Sequence, residues 1–139
     1  MRSSWDWYSY ERSPGVFEKE KLSDYYINQD AHDKGWFTVT TLGGWGRFHF
    51  EKHSSPVLTD EEKEAYRQYV RHAVTDMKDQ VDYYEIGNEP NLPNNNLALN
   101  VSLELGVTAY LNKVKIAYEE IKRIDPTAKV GTVSNCYVN

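Results

Sequence analysis

Cysteine is all but missing from this sequence. Cys136 stands alone among 139 residues, so an internal disulfide cannot form and a metal site built from several thiolates has no basis. A solitary cysteine leaves the compartment open. Long apolar runs are missing too, and none approaches the roughly 18 residues needed to span a bilayer. The opening Met1-Arg2-Ser3-Ser4-Trp5 has no apolar stretch of the kind a signal peptide needs. It reads as the inside of a strand, and the expectation is that the natural N-terminus lies upstream. Positive charge is in deficit: 16 Lys and Arg stand against 21 Asp and Glu, for a formal charge of −5. No segment concentrates basic residues, which makes nucleic acid a poor partner. No Gly-rich phosphate loop follows any of the segments read below as strands.

What is present is ordinary globular composition, 40% hydrophobic and 27% charged, enough for one modest domain with a core. The exception is aromatic content. Eleven Tyr and four Trp suit a surface that stacks on flat, partly apolar ligands such as sugars, although most such rings fill cores and loop interfaces.

Along the chain, Trp5 to Phe17 is rich in aromatics and turn formers around Ser13-Pro14-Gly15, and reads as a loop leaving a short strand. From about Lys19 to Lys34 a thin stripe of Leu22, Tyr26 and Ala31 predicts a helix ended by Gly35. Trp36 to Leu42 is dense in β-branched and aromatic residues and predicts a strand stopped by Gly43-Gly44. A long loop to Pro56 follows, carrying Trp45, Arg47, His49 and His53.

Thr59-Asp60-Glu61-Glu62 has the form of a capping box. Behind it Tyr66, Val70, Ala73 and Met77 recur at steps of three and four, with Ala65, Tyr69 and Val74 beside them. Val81 to Ile86 predicts a strand, and the Asn-rich stretch from Asn91 to Asn100 a loop. A second strong helix is predicted over about Leu103 to Ile124, with Val107, Tyr110, Leu111, Val114, Ala117, Tyr118, Ile121 and Ile124 on one face. Asp125-Pro126 ends it, and Ala128 to Val133 predicts the last strand.

Strands alternating with helices imply a parallel sheet with right-handed crossovers. A doubly wound sheet fits the pattern as well as a barrel does. The missing phosphate fingerprint and the polar, aromatic loops after the strands favour the barrel, whose chemistry sits at the strand C-termini.

One motif carries chemistry. Asn88-Glu89-Pro90 follows the predicted strand ending at Ile86. A glycosidic bond breaks when a carboxylic acid protonates the leaving oxygen while a second carboxylate acts from the other face of the ring. An aromatic-lined, partly apolar position raises the acid's pKa by disfavouring its anion. Asn88 is placed to donate to a sugar 2-hydroxyl, and Pro90 fixes the turn after the acid.

In context the motif is more specific than its three letters. Tyr84-Glu85-Ile86-Gly87-Asn88-Glu89-Pro90-Asn91 resembles the fourth-strand motif of clan A glycoside hydrolases, the cellulase-like (β/α)8 barrels. Arg2, Trp7, Glu11 and Pro14-Gly15 resemble the end of that clan's second strand and its loop. Asp33 to Val39 resembles the approach to strand three, and Tyr118 to Pro126 the helix before strand five.

The resemblance covers nearly the whole chain, residues 1–139, as strands two to five of a partial TIM barrel. It is shared with family 39-like β-xylosidases and family 5-like glucanases. It implies a retaining glycosidase with Glu89 as acid/base and Asn88 as the 2-hydroxyl partner, a β-linked carbohydrate substrate and no cofactor. The clan's nucleophile, a Glu ending strand seven, has no counterpart here, so the chain is expected to be part of a longer catalytic domain. The alternative is a half-barrel that binds carbohydrate without catalysis.

Other residues divide between structural and functional roles. Glu85 shares strand parity with Glu89, and Arg2 is a plausible partner for it, which makes the pair a structural support. Trp45 and Trp7 follow strands at the mouth, and each is either a sugar-stacking ring or a loop anchor. Glu11 is expected in a loop salt bridge. His49 and His53 have the spacing of a helical metal pair, but they lie in a loop without a third ligand, so no metal is expected. A half-barrel also exposes two sheet edges, and the isolated chain is expected to be poorly soluble or oligomeric.

Overall fold

The computed structural model describes residues 1–49, 57–89 and 102–132. Pro90, the Asn-rich loop, His53, Val133 and Cys136 lie outside the described residues. The chain opens with β1 (Arg2–Asp6), a single helical turn α1 (Trp7–Tyr10) and a hairpin of β2 (Glu11–Ser13) and β3 (Val16–Phe17). A short 3₁₀ turn leads to α2 (Ser23–Asp33), then β4 (Val39–Gly43) and α3 (Asp60–Met77). β5 (Tyr83–Ile86), α4 (Leu103–Ile124) and β6 (Lys129–Thr132) complete the order.

The four long strands form one sheet in the order β1-β4-β5-β6. Every pairing is parallel, in the register Arg2↔Val39, Val39↔Tyr83 and Tyr83↔Lys129. A helix crosses between each pair of neighbouring strands, so all four strands end on the same side of the sheet.

Strand alternation sorts the side chains. Trp5, Leu42, Tyr84 and Ile86 are buried against α3 and α4, where they meet Tyr69, Val70, Ala73, Met77, Ala117 and Ile121. Burying an aliphatic side chain of this size contributes about 1.5–3 kcal/mol. Some polar members of this layer are paired, while Trp5 Nε1 and the Tyr84 hydroxyl have no partner among the described residues. Asn28 of α2, fully buried, donates to Thr40 Oγ1 at 3.0 Å, and Ser3 Oγ bonds the same oxygen at 2.9 Å. Residues of the other parity, Arg2, Thr41 and Glu85 among them, lie on the opposite face.

The capping box at α3 forms as read: Thr59 Oγ1 accepts from Glu62 N at 3.2 Å, and Glu62 Oε2 accepts from Thr59 N at 2.7 Å. Several expectations are corrected. The loop after β1 holds a helical turn, because Asp6 caps it by accepting from Ser9 N. It also holds the β2–β3 hairpin turning at Pro14-Gly15. The helix expected from Lys19 starts at Ser23, and Tyr26 is exposed, leaving Asn28 and Ala31 as its buried residues.

The strand expected from Trp36 begins at Val39. Trp36 and Phe37 are exposed in the turn before it. On α4, Val107, Leu111 and Tyr118 are exposed and the inward stripe runs instead through Ala109, Lys113, Ile116, Ala117, Glu120 and Ile121. Two charged residues hid that stripe from a hydrophobic reading. Glu120 is tolerated because Arg67, Arg71 and Arg123 all donate to its carboxylate, at 3.3, 3.3 and 2.6 Å.

Candidate active site

The C-terminal ends of β1, β4 and β5 converge on one mouth, and helix tyrosines hold those ends in place. Tyr69 of α3 donates to the carbonyl of Trp5 and also, at 3.3 Å, to that of Gly43, bracing β1 against β4. Burial pushes the Tyr69 phenol well above its ordinary pKa, reinforced by neighbouring Tyr66, so it stays a donor throughout the working pH range. Tyr110 of α4 donates to the Ile86 carbonyl at 3.1 Å, where β5 ends.

Beyond Ile86 the backbone turns sharply. Gly87 has φ 80°, and Glu89 has φ 41°, the one non-glycine residue with positive φ among the described residues. A Glu in the left-handed region is sterically disfavoured, and such strain clusters at functional sites. Glu89 is half-buried and Asn88 exposed.

On the face opposite the helices, three strands contribute to one polar ladder. Arg2 Nε of β1 donates to Glu85 Oε2 at 2.8 Å, and Thr41 Oγ1 of β4 donates to the same oxygen at 3.1 Å. Arg2 Nη2 also approaches Asn88 Oδ1 at 3.5 Å. Arg2, Glu85 and Asn88 are therefore brought together. A guanidinium can meet only the oxygen of an amide, which leaves the Asn88 NH₂ group for another acceptor.

Trp7 serves as an anchor, with no face left for a ligand. It is fully buried, stacks on Tyr69 at 5.0 Å, and donates from Nε1 to Glu11 Oε2 at 2.8 Å. Of the two readings open for Trp7, burial favours the loop anchor over the sugar platform. Glu11 is the hub of this loop. Its carboxylate is buried and also accepts from Gly15 N at 2.7 Å and pairs with His49 Nε2 at 2.9 Å. His49 is thus bound to a carboxylate. The described residues contain no group of three or more metal-ligating side chains.

Trp45 is half-buried and stacks on Tyr8 at 5.4 Å, and the Arg47 guanidinium lies over the Tyr8 ring at 4.8 Å. The sequence reading gave no role at the site to Tyr8, Arg47, Thr41, Tyr69 or Tyr110. Thr41 alone left a usable signal, as a polar residue on a strand one register step from Glu85. The tyrosines act through partners distant in sequence.

Comparison with solved structures now bears on the fold. A family 39 glycoside hydrolase from the gut symbiont Bacteroides cellulosilyticus WH2 superposes with a TM-score of 0.67 at 18% identity, over 94% of this chain and 25% of that one. The likeness is one of fold: this chain folds as the matching part of that hydrolase does. The β-glycosidase BGL167 gives a TM-score of 0.68 at 20% identity, over 94% of this chain and 40% of its own. A glucosidase from Croceicoccus marinus gives 0.60 at 16% identity, over 97% and 30%. The chain spans between a quarter and two-fifths of these proteins. No family model and no curated protein matches the sequence.

Proposed function

We propose that residues 1–139 form part of the catalytic domain of a retaining glycoside hydrolase, strands two to five of a (β/α)8 barrel, acting on β-linked oligo- or polysaccharide. Glu89 is the general acid/base. The observation that carries this reading is its backbone: a half-buried carboxylate held at φ 41° at the mouth of a parallel sheet. A left-handed Glu persists only where its surroundings impose it.

Arg2 holds the oxygen of Asn88, so the amide NH₂ is directed to the sugar 2-hydroxyl, a contact that strengthens in the transition state. Glu85 and Thr41 keep Arg2 in place. Trp45, with Tyr8 behind it, offers a ring for the substrate. The nucleophile belongs to a later strand of the complete barrel and stands about 5–5.5 Å from the acid in a retaining enzyme.

The test is Glu89→Gln in the protein carrying the complete barrel, assayed on aryl glycosides of graded leaving-group ability. Substrates with poor leaving groups should lose most of their rate, typically about 10²–10⁴-fold for a lost general acid, and activated ones much less. Equal, small losses across the series would refute the role of Glu89. The second reading is a carbohydrate-binding half-barrel without turnover, which the Trp45 ring stacked on Tyr8 would equally serve. Saturable sugar binding with no hydrolysis in the complete protein would select it.

A further inference from the structure

The opposite end of the sheet carries a cleft that the proposed catalysis does not use. It lies under the turns that lead into β4, β5 and β6, between the C-terminal ends of α2 and α3 and the α4–β6 turn. Two adjoining hollows of about 230 and 300 Å³ share His32, Phe37 and Asp82. The larger is walled by Trp36, and the other extends past Asp79 and Asp125 to Lys129. Their size reaches the lower range of small-ligand sites.

Its chemistry is mixed in a particular way. Trp36 and Phe37 are each more than half exposed and adjacent, which makes a small apolar patch at the cleft. Lys34 Nζ sits over the Trp36 ring at 5.6 Å and Lys129 Nζ over Phe37 at 5.6 Å, so each ring carries a cation over one face.

The carboxylates are partly committed to the frame. Asp82 Oδ2 accepts from Thr38 N and Oγ1, and Asp125 Oδ1 from Thr127 N and Oγ1. Asp82 Oδ1, the Asp79 carboxylate and the His32 imidazole keep their hydrogen-bonding capacity among the described residues.

Three carboxylates, Asp79, Asp82 and Asp125, balance Lys34, Lys78 and Lys129, which leaves no net positive charge to draw a phosphate, and an anion has no helix N-terminus here to receive it. A purely apolar partner would strand the same carboxylates without water. A neutral polyol with one apolar face satisfies both demands: its C–H face lies on an indole while its hydroxyls donate to carboxylates.

We propose that this cleft is a second carbohydrate-binding site, with Trp36 as the stacking platform and Asp79, Asp82 and His32 as hydroxyl partners. The site rests on its own geometry. The choice of a β-linked glycan as ligand rests on the glycosidase reading. Its place under the central strands, at the end away from Glu89, lets it hold a polymer without entering the mouth.

The test titrates the full chain with xylohexaose and with cellohexaose, read by calorimetry and by indole fluorescence. Trp5 and Trp7 are fully buried and Trp45 is half-buried at the mouth, so iodide quenching is read in a Trp45→Phe background, where it reports chiefly on Trp36. One of the two glycans should bind and protect the indole from iodide. Trp36→Ala should weaken that binding about tenfold or more, Trp36→Phe should restore most of it, and Tyr118→Ala, a comparably exposed ring on α4, should leave it unchanged. Unaltered binding by Trp36→Ala, or no binding of either glycan by the full chain, overturns the proposal. Binding that depends on Trp36 in this chain, together with no hydrolysis by the protein carrying the complete barrel, would sink the glycosidase reading and leave this site standing.

Discussion

Arg2 on β1 and Glu85 on β5 are joined by a 2.8 Å ion pair that passes over β4, where Thr41 donates to the same carboxylate oxygen. The contact ties an edge strand to the strand that carries the motif. Its energetic weight is small, because the Arg2 side chain is about half exposed at 54% and solvent screens the pair. Its geometric weight is larger, since the same guanidinium approaches Asn88 Oδ1.

Glu85→Gln should therefore lower stability by about 1 kcal/mol or less, and a double-mutant cycle with Arg2→Met should return a coupling of similar size. Urea denaturation measures both. A coupling above about 3 kcal/mol would mark the pair as buried, in conflict with the structure.

Glu120 sets the behaviour of the helical layer in acid. Burial on its own would raise the carboxyl pKa, but hydrogen bonds from Arg71, Arg123 and Arg67 outweigh it and hold the group down at about 2. A depressed folded pKa contributes stability that is fully present above the unfolded value and is lost as pH falls through the folded one. The protein should thus lose this contribution between pH 4.5, the ordinary value, and about 2. Urea midpoints of the protein and of Glu120→Gln, compared at several pH values, should differ above that window and converge within it. A constant gap would contradict the arginine cluster.

Gly46 is where the mouth loop passes closest to the core. A Cβ there would stand 2.5 Å from Trp7 Cζ2, and Trp7 is clamped between Tyr69 and the Glu11 hub. The ring cannot withdraw, so Gly46→Ala should cost about 1–3 kcal/mol by overpacking. Thermal melts and the near-ultraviolet circular dichroism of the Trp7–Tyr69 stack report it. A melting temperature within error of the parent would show that the loop moves instead.

The elements most legible in the sequence were those built by local chemistry. Thr59 and Glu62 announced α3 because a capping box is a four-residue device, and α4 was bounded by its apolar period and by Asp125-Pro126. The inward face of α4 was not legible. Lys113 and Glu120 occupy core positions, and the arginines that make Glu120 tolerable include two on α3, some fifty residues away.

The same logic governs the mouth. Glu89 and Asn88 were visible as a contiguous motif, whereas Tyr69 and Tyr110 act on strand ends that only the tertiary fold brings to them. Trp7 stayed open between platform and anchor because its ring meets Tyr69, a contact that no local pattern encodes.

The backbone of Glu89 gives the last prediction. At φ 41° a β-carbon crowds its own peptide, and holding a non-glycine residue in the left-handed region costs about 1–3 kcal/mol. Glycine removes that crowding but adds freedom to the unfolded chain, an offset of about 0.4–1 kcal/mol. The strain is the larger quantity, so Glu89→Gly should raise stability by about 1 kcal/mol while abolishing the proposed acid/base function. Glu89→Asn, which tolerates the left-handed region better than Glu, should fall between the two. Glu89→Ala keeps the β-carbon and should gain nothing from relief of strain. Urea midpoints of the four proteins decide the matter. If Ala and Gly stabilise equally, the gain comes from removing the carboxylate, and the backbone at position 89 is not the source of the strain.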